Sequence, residues 1–390
     1  MRSNLPIFKK SCTLLAALFL LAGQSSLFAQ DSLSGSIEAP EEIQESTSHE
    51  EEDSFNAGEM IMHHISDAHE IHIVGDFAIY LPIILYTDNG LEVFSSSHFY
   101  HNPQHGESEI AEEKEFHYYA YKDYVLFHEH IYYANETGDE VVFNEETGEI
   151  ANTPVFDLSI TKSVAGIFLT VVLLLLIFLS TAKAYKKRKG QAPKGLQSFM
   201  EPMILFIRDE VAVPSIGAKK ADRFMPFLLT IFFFIWIANM LGLIPFIGGF
   251  NITGTLSVTL VLAAIVFIIT TINGNRHYWS HILWPSGVPL PIKFILIPIE
   301  FAGIFIKPLV LMIRLTANIT AGHIIILAFV SLILIFGESS QAAGYGVGVG
   351  STLFMIFMFF IELLVAFLQA YVFTLLAALY FGDATQEAHH

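Results

Sequence analysis

The sequence predicts an all-α polytopic membrane protein, with five membrane-crossing helices plus an interfacial helix, preceded by a small mainly-β extramembrane domain. Three observations predict it. Hydrophobic residues make up 53% of the 390-residue chain and charged residues 15%, yet the formal net charge is −18, so the acid must lie outside the apolar stretches. From Asp31 to Lys162 there are 29 Asp and Glu against three basic residues, Lys114, Lys122 and Lys162, together with 11 of the 16 histidines. Beyond that segment the chain is mostly apolar, and one long apolar run, Phe294 to Phe336, carries Arg314 at its middle. A guanidinium cannot shed its charge, and placing one at mid-bilayer costs roughly 3 kcal/mol on insertion scales. An intramembrane arginine therefore points to ion movement.

Residues 1–29 read as a signal peptide. Arg2, Lys9 and Lys10 are basic, Cys12 to Ala22 is a short apolar core, and Ser26-Leu27-Phe28-Ala29 offers a cleavage point before Gln30. Cys12, the single cysteine, is expected to leave with the signal, so neither disulfide nor thiol chemistry is expected of the mature chain. Residues 30–55 form an acidic stretch expected to be disordered.

Residues 56–160 read as an exported mainly-β domain. Phe77 to Tyr86, Phe116 to Tyr121 and Tyr124 to Tyr133 are rich in aromatic and β-branched residues, with turn signals at Thr87-Asp88-Asn89-Gly90 and Asn135-Glu136-Thr137-Gly138. His63, His64, His69 and His72, with Glu70, could converge on a metal ion, but their spacing matches no specific zinc pattern. Ordinary surface histidines are the expected alternative.

Residues 161–382 read as the membrane domain. Val164 to Leu179 is apolar and precedes Lys183, Lys186, Lys187, Arg188 and Lys189, a cluster that the positive-inside rule places in the cytoplasm. Leu196 to Val213 mixes apolar residues with Glu201, Arg208, Asp209 and Glu210 and suits an interfacial helix. Phe224 to Ile247 and Leu256 to Ile272 are the next crossings, and Asn273 to Val288 is an inner link. Two long segments follow, Ile292 to Phe336 and Leu353 to Phe381. Ile306-Lys307-Pro308-Leu309 offers no turn residue, so the first is expected to be one long tilted helix rather than two spans. Gly344 to Gly350 lacks the Lys-Ser or Lys-Thr of a phosphate loop and is expected to be an outer turn. Residues 383–390 are expected to be a cytoplasmic tail.

Glu300, Lys307 and Arg314 recur every seven residues and form one helical stripe that drifts by about 20° per step, and Asn318 extends it. His323 points to the opposite side. In the last helix Glu362 and Gln369 share a face. If the two helices are antiparallel with Arg314 level with Gln369, His323 and Glu362 fall at one depth, as a proton relay requires. Each residue also has a structural reading: an ion pair for Arg314, snorkelling for Lys307, and helix linking for Gln369.

Lys307-Pro308, Arg314-Leu315-Thr316-Ala317-Asn318-Ile319-Thr320-Ala321-Gly322-His323 and Leu368-Gln369-Ala370-Tyr371-Val372-Phe373 resemble the signature of subunit a of the F-type rotary ATP synthase. Asn239 to Pro245 and Thr255-Leu256-Ser257 are similar to earlier helices of that family, which makes Asn239 and Ser257, with Lys307, further channel candidates. The likeness covers roughly Ser163 to Phe381. It implies a proton-translocating stator in which Arg314 faces the carboxylates of a ring of c subunits and separates two half-channels. By the same resemblance Glu300 lies near the cytoplasmic half-channel, Asn318 and Gln369 neighbour the arginine, and His323 with Glu362 match the outer pair, their residue types exchanged relative to some members. Some members carry an acid where this chain has Gly242.

The resemblance implies a c-subunit ring, a b-subunit peripheral stalk and the rest of the ATP synthase as partners, in a bacterial inner membrane with the β domain periplasmic and the C-terminus cytoplasmic. Lipid is the remaining partner; no nucleic acid and no cofactor is expected. No nucleotide motif occurs in the chain, so ATP chemistry is assigned to partner subunits. A self-contained secondary transporter is the competing reading, but the two related halves usual in transporters are not seen. A sensor domain with a passive anchor leaves the aligned ionisable residues unexplained. The exported domain's excess acid is expected to set up a negative potential at the outer mouth of the complex.

Overall fold

The computed structural model describes residues 58, 66–74, 77–88, 90–101, 103–107, 115–135, 141–144, 150–244, 249–285, 288–339 and 341–386. The expected signal peptide, the acidic stretch and the pair His63 and His64 lie outside the described residues. The chain divides into two compact units. One comprises residues 62–166 with 244–250; the other contains residues 167–243 and 251–390.

The first unit is built of short antiparallel strands. β1 (Glu70–Val74) pairs with β2 (Phe77–Tyr80). β3 (Pro82–Thr87) pairs with β4 (Gly90–Ser95), and a single turn of helix, α1 (Ser97–Tyr100), follows. β5 (Pro103–Glu107), β6 (Glu115–Tyr121), β7 (Tyr124–Phe127) and β8 (His130–Tyr133) form a four-stranded meander, and β9 (Phe156–Asp157) returns to the free edge of β3. Alternation in β3 sends Ile83, Leu85 and Thr87 inward. Ile83 and Leu85 meet Phe99, Tyr124, Leu126, Ile131 and Val155 in one apolar core. The stretch Tyr124 to Tyr133, expected as one extended segment, is a hairpin. His128 and Glu129 adopt φ of 45° and 65°, the left-handed pair that a two-residue turn needs to match strand twist.

The second unit is helical. α2 (Lys162–Lys187) leads into it, and α3 (Leu196–Phe206), a π-helical turn (Ile207–Ala212) and α4 (Val213–Ile216) occupy the segment expected to be interfacial. In the π turn Ile207, Val211 and Ala212 are buried, while Arg208, Asp209 and Glu210 are exposed. α5 (Ala218–Leu243) and α6 (Leu256–Asn273) are apolar and of spanning length. A short helix the sequence did not signal, α7 (Arg276–Leu283), precedes α8 (Leu290–Ser339) and α9 (Gln341–Thr385).

α8 is one continuous helix of 50 residues despite Pro298 and Pro308. At 1.5 Å per residue it is about 75 Å long, more than twice a bilayer's hydrocarbon thickness. Gly344 to Gly350, expected as a turn, is helical and belongs to the start of α9. The physical reason is that lipid offers the backbone no competing hydrogen bonds, so glycine is tolerated in membrane helices. α9 continues to Thr385, three residues into the expected tail. Among the described residues five helices, α2, α5, α6, α8 and α9, are long and apolar enough to cross a membrane. Several of their threonines hide their hydroxyls on carbonyls one turn back, as Thr230 does on Pro226 and Thr374 on Ala370.

Candidate ion-translocation site

The site begins with the packing of α8 on α9. Leu311, Leu315 and Ile319 form a buried stripe on α8 at helical spacing, and Ala366, Ala370, Ala377 and Ala378 form one on α9. Small residues there let the helices approach closely. Phe329 lies 4.2 Å from Phe354 between ring centroids, Gly322 faces Glu362, and Gly348 faces Ile333. The sequence numbers of each pair have nearly the same sum, which defines an antiparallel register. In that register the residue level with Arg314 is Gln369.

Gln369 and Glu362 are 7% and 6% exposed, on the packed face of α9. Both carboxylate oxygens of Glu362 are buried and accept no hydrogen bond among the described residues. His323, half-buried, is the next residue after Gly322, against which that carboxylate sits. Arg314 and Asn318 are exposed, on a different face of α8 from the buried stripe. Among the described residues no acid pairs with Arg314.

A polar seam runs beside this pair. Asn239 of α5 is buried; its amide donates to the carbonyl of Ala366 at 3.2 Å, and its oxygen accepts from the Thr253 hydroxyl. Buried Asn251 leaves its side-chain oxygen without a donor among the described residues. Thr259 of α6 and Thr316 of α8 share a hydrogen bond of 2.6 Å, and the Thr320 hydroxyl donates to the Gly254 carbonyl at 3.5 Å. Ser257 is half-buried in the first turn of α6.

At the other end of α8 the ionisable groups gather around a crevice lined by Thr270, Thr271, Tyr278, Lys307, Tyr380 and Asp383. The Lys307 ammonium is 3.8 Å from the Asp383 carboxylate and lies over the Tyr380 ring. Both ionic partners are about half exposed, so their pairing adds little stability. Glu300 is half-buried. Burial, then the carboxylates of Asp383 and Glu300, raise the Tyr278 hydroxyl above its ordinary pKa, which sets all three in one electrostatic neighbourhood.

Residues 164–382 match the family described as ATP synthase A chain. The chain belongs to that family. It is 41% identical over 242 residues to "ATP synthase subunit a" of Chloroherpeton thalassium, an alignment covering 60% of this chain and 69% of that protein. It is 44% identical over 239 residues to "ATP synthase subunit a 2" of Chlorobaculum tepidum, covering 59% and 64%. It is 39% identical over 242 residues to "ATP synthase subunit a" of Anaeromyxobacter sp. strain Fw109-5, covering 60% and 56%. As an ATP synthase A chain with five apolar helices, it is a multi-pass membrane protein. Residues 60–158 match a family described as a domain of unknown function (DUF8433).

Within the helical unit, the sequence does not signal Asn251, Thr253, Thr316, Thr320, Tyr278, Tyr380 and Asp383 as site residues. The threonines and Asn251 carry no charge, so hydropathy and spacing give them no weight. Asp383 falls in the expected tail, and only the continuation of α9 brings it to Lys307.

The histidines of the first unit do not form a metal centre among the described residues. His69, expected at the surface, is 1% exposed. Its Nε2 lies 3.4 Å from Asp157 and its Nδ1 lies 3.7 Å from Glu129, so the acids grip opposite edges of the ring. That geometry suits a buried imidazolium, not one ion held by all three. Burial presses the His69 pKa down, but the Asp157 and Glu129 carboxylates overcome it and raise it to about 9. His72 instead pairs with Glu70 at 2.6 Å.

Proposed function

We propose that the chain is the proton-translocating stator subunit of an F-type ATP synthase, non-catalytic itself, with ATP chemistry in partner subunits. Its partners are a ring of c subunits, a b-subunit peripheral stalk and the rest of the complex. The observation that carries this reading is Arg314: an exposed guanidinium midway along a 50-residue apolar helix, level with buried Gln369 and without an acidic partner among the described residues. Such a charge has work to do on a carboxylate that comes and goes. An opposite charge within about 4 to 6 Å favours the anion, so a ring carboxylate passing Arg314 gives up its proton and cannot carry it straight across. Protons then enter by one half-channel, ride the ring and leave by the other. Each crossing supplies about 2.3 kcal/mol per 100 mV.

In this reading His323 and Glu362 form the relay of the outer half-channel, with Asn239, Thr253 and Ser257 beside it. Glu300, Lys307 and the crevice around Tyr278 serve the inner one, and Asn318 and Gln369 orient the arginine. The basic cluster Lys183 to Lys189 faces the cytoplasm of a bacterial inner membrane, which with five crossings puts the β unit outside and the C-terminus inside. The test is ATP synthesis driven by an imposed proton gradient in vesicles holding the assembled complex. Arg314→Ala and Arg314→Lys both reduce it to background, because a desolvated lysine can lose its proton and lacks the planar fork. Synthesis retained in either variant overturns the assignment.

A further inference from the structure

The elbow between α6 and α8 carries a feature the translocation path does not use. From residue 274 to residue 299 the sequence holds Arg276, His277, His281 and Lys293 and no acid, in a chain whose net charge is −18. The elbow is held firmly. The Asn275 side chain caps α7 by accepting from the Tyr278 N–H at 2.8 Å, and the Asn275 N–H donates to the Ala384 carbonyl at 2.9 Å. Ile282 is the buried anchor of α7, while Arg276, His277 and His281 are exposed.

Lys293, in the first turn of α8, does not reach freely into solvent. Its ammonium stands 4.4 Å above the centre of the Trp284 ring, an arrangement that fixes a cation beside a flat apolar surface. That ring is 57% exposed, and next to it Leu290, Phe294 and Ile295 are 60%, 78% and 67% exposed. A basic edge, without an acid in its own sequence though Asp383 and Glu300 neighbour Tyr278, thus adjoins an open apolar stripe at the end of two spanning helices. Counting crossings, it is on the same side as the basic cluster after α2.

We propose that this elbow is a seat for one anionic phospholipid. The phosphodiester is held by Arg276 and Lys293, with His281 as a further donor, and the acyl chains lie along Leu290, Phe294 and Ile295. Basic groups at the membrane surface attract anionic headgroups, so the elbow selects them over zwitterionic ones of the same chain length. The inference rests on the membrane placement of α8, not on the proton path.

The test uses the full chain in lipid nanodiscs and reads quenching of Trp284 fluorescence, isolated as the difference between wild type and Trp284→Phe. Brominated phosphatidylglycerol is expected to quench Trp284 at lower mole fraction than brominated phosphatidylcholine, by about fivefold for each basic group that engages the headgroup. The preference shrinks as salt is raised on unaltered protein, survives in Arg276→Lys with Lys293→Arg, and vanishes in Arg276→Gln with Lys293→Gln. Equal quenching by the two lipids in wild type, or a preference unchanged in the double glutamine variant, overturns the proposal. Loss of the preference on adding millimolar inorganic phosphate at constant ionic strength also overturns it, by reassigning the seat to a soluble anion.

Discussion

The carboxylate of Glu362 packs against Gly322: a methyl group built on that glycine lies 2.7 Å from Glu362 Oε1 and 3.1 Å from Cδ. The obstructing atoms are the far end of a flexible side chain, so Gly322→Ala is accommodated by swinging the carboxylate aside. The complex assembles, but the acid leaves its place against Gly322. Proton pumping is expected to fall by about tenfold or more, within the hundredfold that a 1 Å misplacement can cost. Assembly on native gels together with normal pumping in inverted vesicles would show that the position of this carboxylate is immaterial.

The second prediction concerns the pair itself. On the proposed relay, His323→Leu and Glu362→Leu are each expected to slow proton uptake severely, since each removes one of the two groups assigned to it. The swap His323→Glu with Glu362→His restores the chemistry and recovers a good part of the rate. Stopped-flow pH measurements on vesicles separate the cases, and a swap no faster than the slower single variant argues against cooperation.

Asn239 offers a structural counterpart. It donates to the Ala366 carbonyl and accepts from Thr253, so Asn239→Leu leaves a buried hydroxyl without its acceptor. The expected loss is about 1 to 3 kcal/mol, seen as a lower melting temperature of the detergent-solubilised protein. Thr253→Val added to Asn239→Leu costs much less than its effect alone in wild type. Additive losses would mean the two residues do not act together.

Much of this arrangement is legible in the sequence. The apolar lengths near α2, α5, α6 and α8 follow from hydropathy, and the absence of a turn residue at Lys307-Pro308 correctly implies an unbroken α8. The seven-residue spacings correctly put Glu362 and Gln369 on one face. What failed is equally physical. Glycine was weighed as a turn former at Gly344 to Gly350, a weight set by aqueous chains. The hairpin at His128-Glu129 contains no glycine or asparagine, so its left-handed turn gave no signal. His69 looked like a surface residue because its partners, Glu129 and Asp157, are far off in sequence.

His69 carries the pH prediction. Its pKa in the fold is raised to about 9, above the ordinary value near 6.5, so the fold binds that proton more tightly than the unfolded chain does. The stabilisation is complete below about pH 6.5 and is lost as pH rises through about 9. Its upper bound is about 3 kcal/mol, or a few hundredfold in protection. Asp157 works in the opposite sense: burial raises its pKa, but His69 and Ser159 lower it further, so its contribution is lost as pH falls. Hydrogen exchange of β7 and β8 in the full chain, corrected for intrinsic rates, is expected to lose protection between pH 7 and 10. In His69→Gln that alkaline slope disappears. A slope unchanged in the variant would assign it to Asp67 or Tyr100, the neighbouring groups whose pKa burial likewise raises.

The near-contiguity of α8, which ends at Ser339, and α9, which begins at Gln341, bears on biogenesis. Released alone into lipid, α8 would present Arg314, Asn318 and His323 to hydrocarbon with no neighbouring arm. Followed at once by α9, it can fold back into a helical hairpin that shelters Glu362 against Gly322 before either arm meets lipid unaccompanied. The two helices thus have reason to leave the insertion machinery as one unit, and a pause in synthesis between them would leave the chain at its most vulnerable.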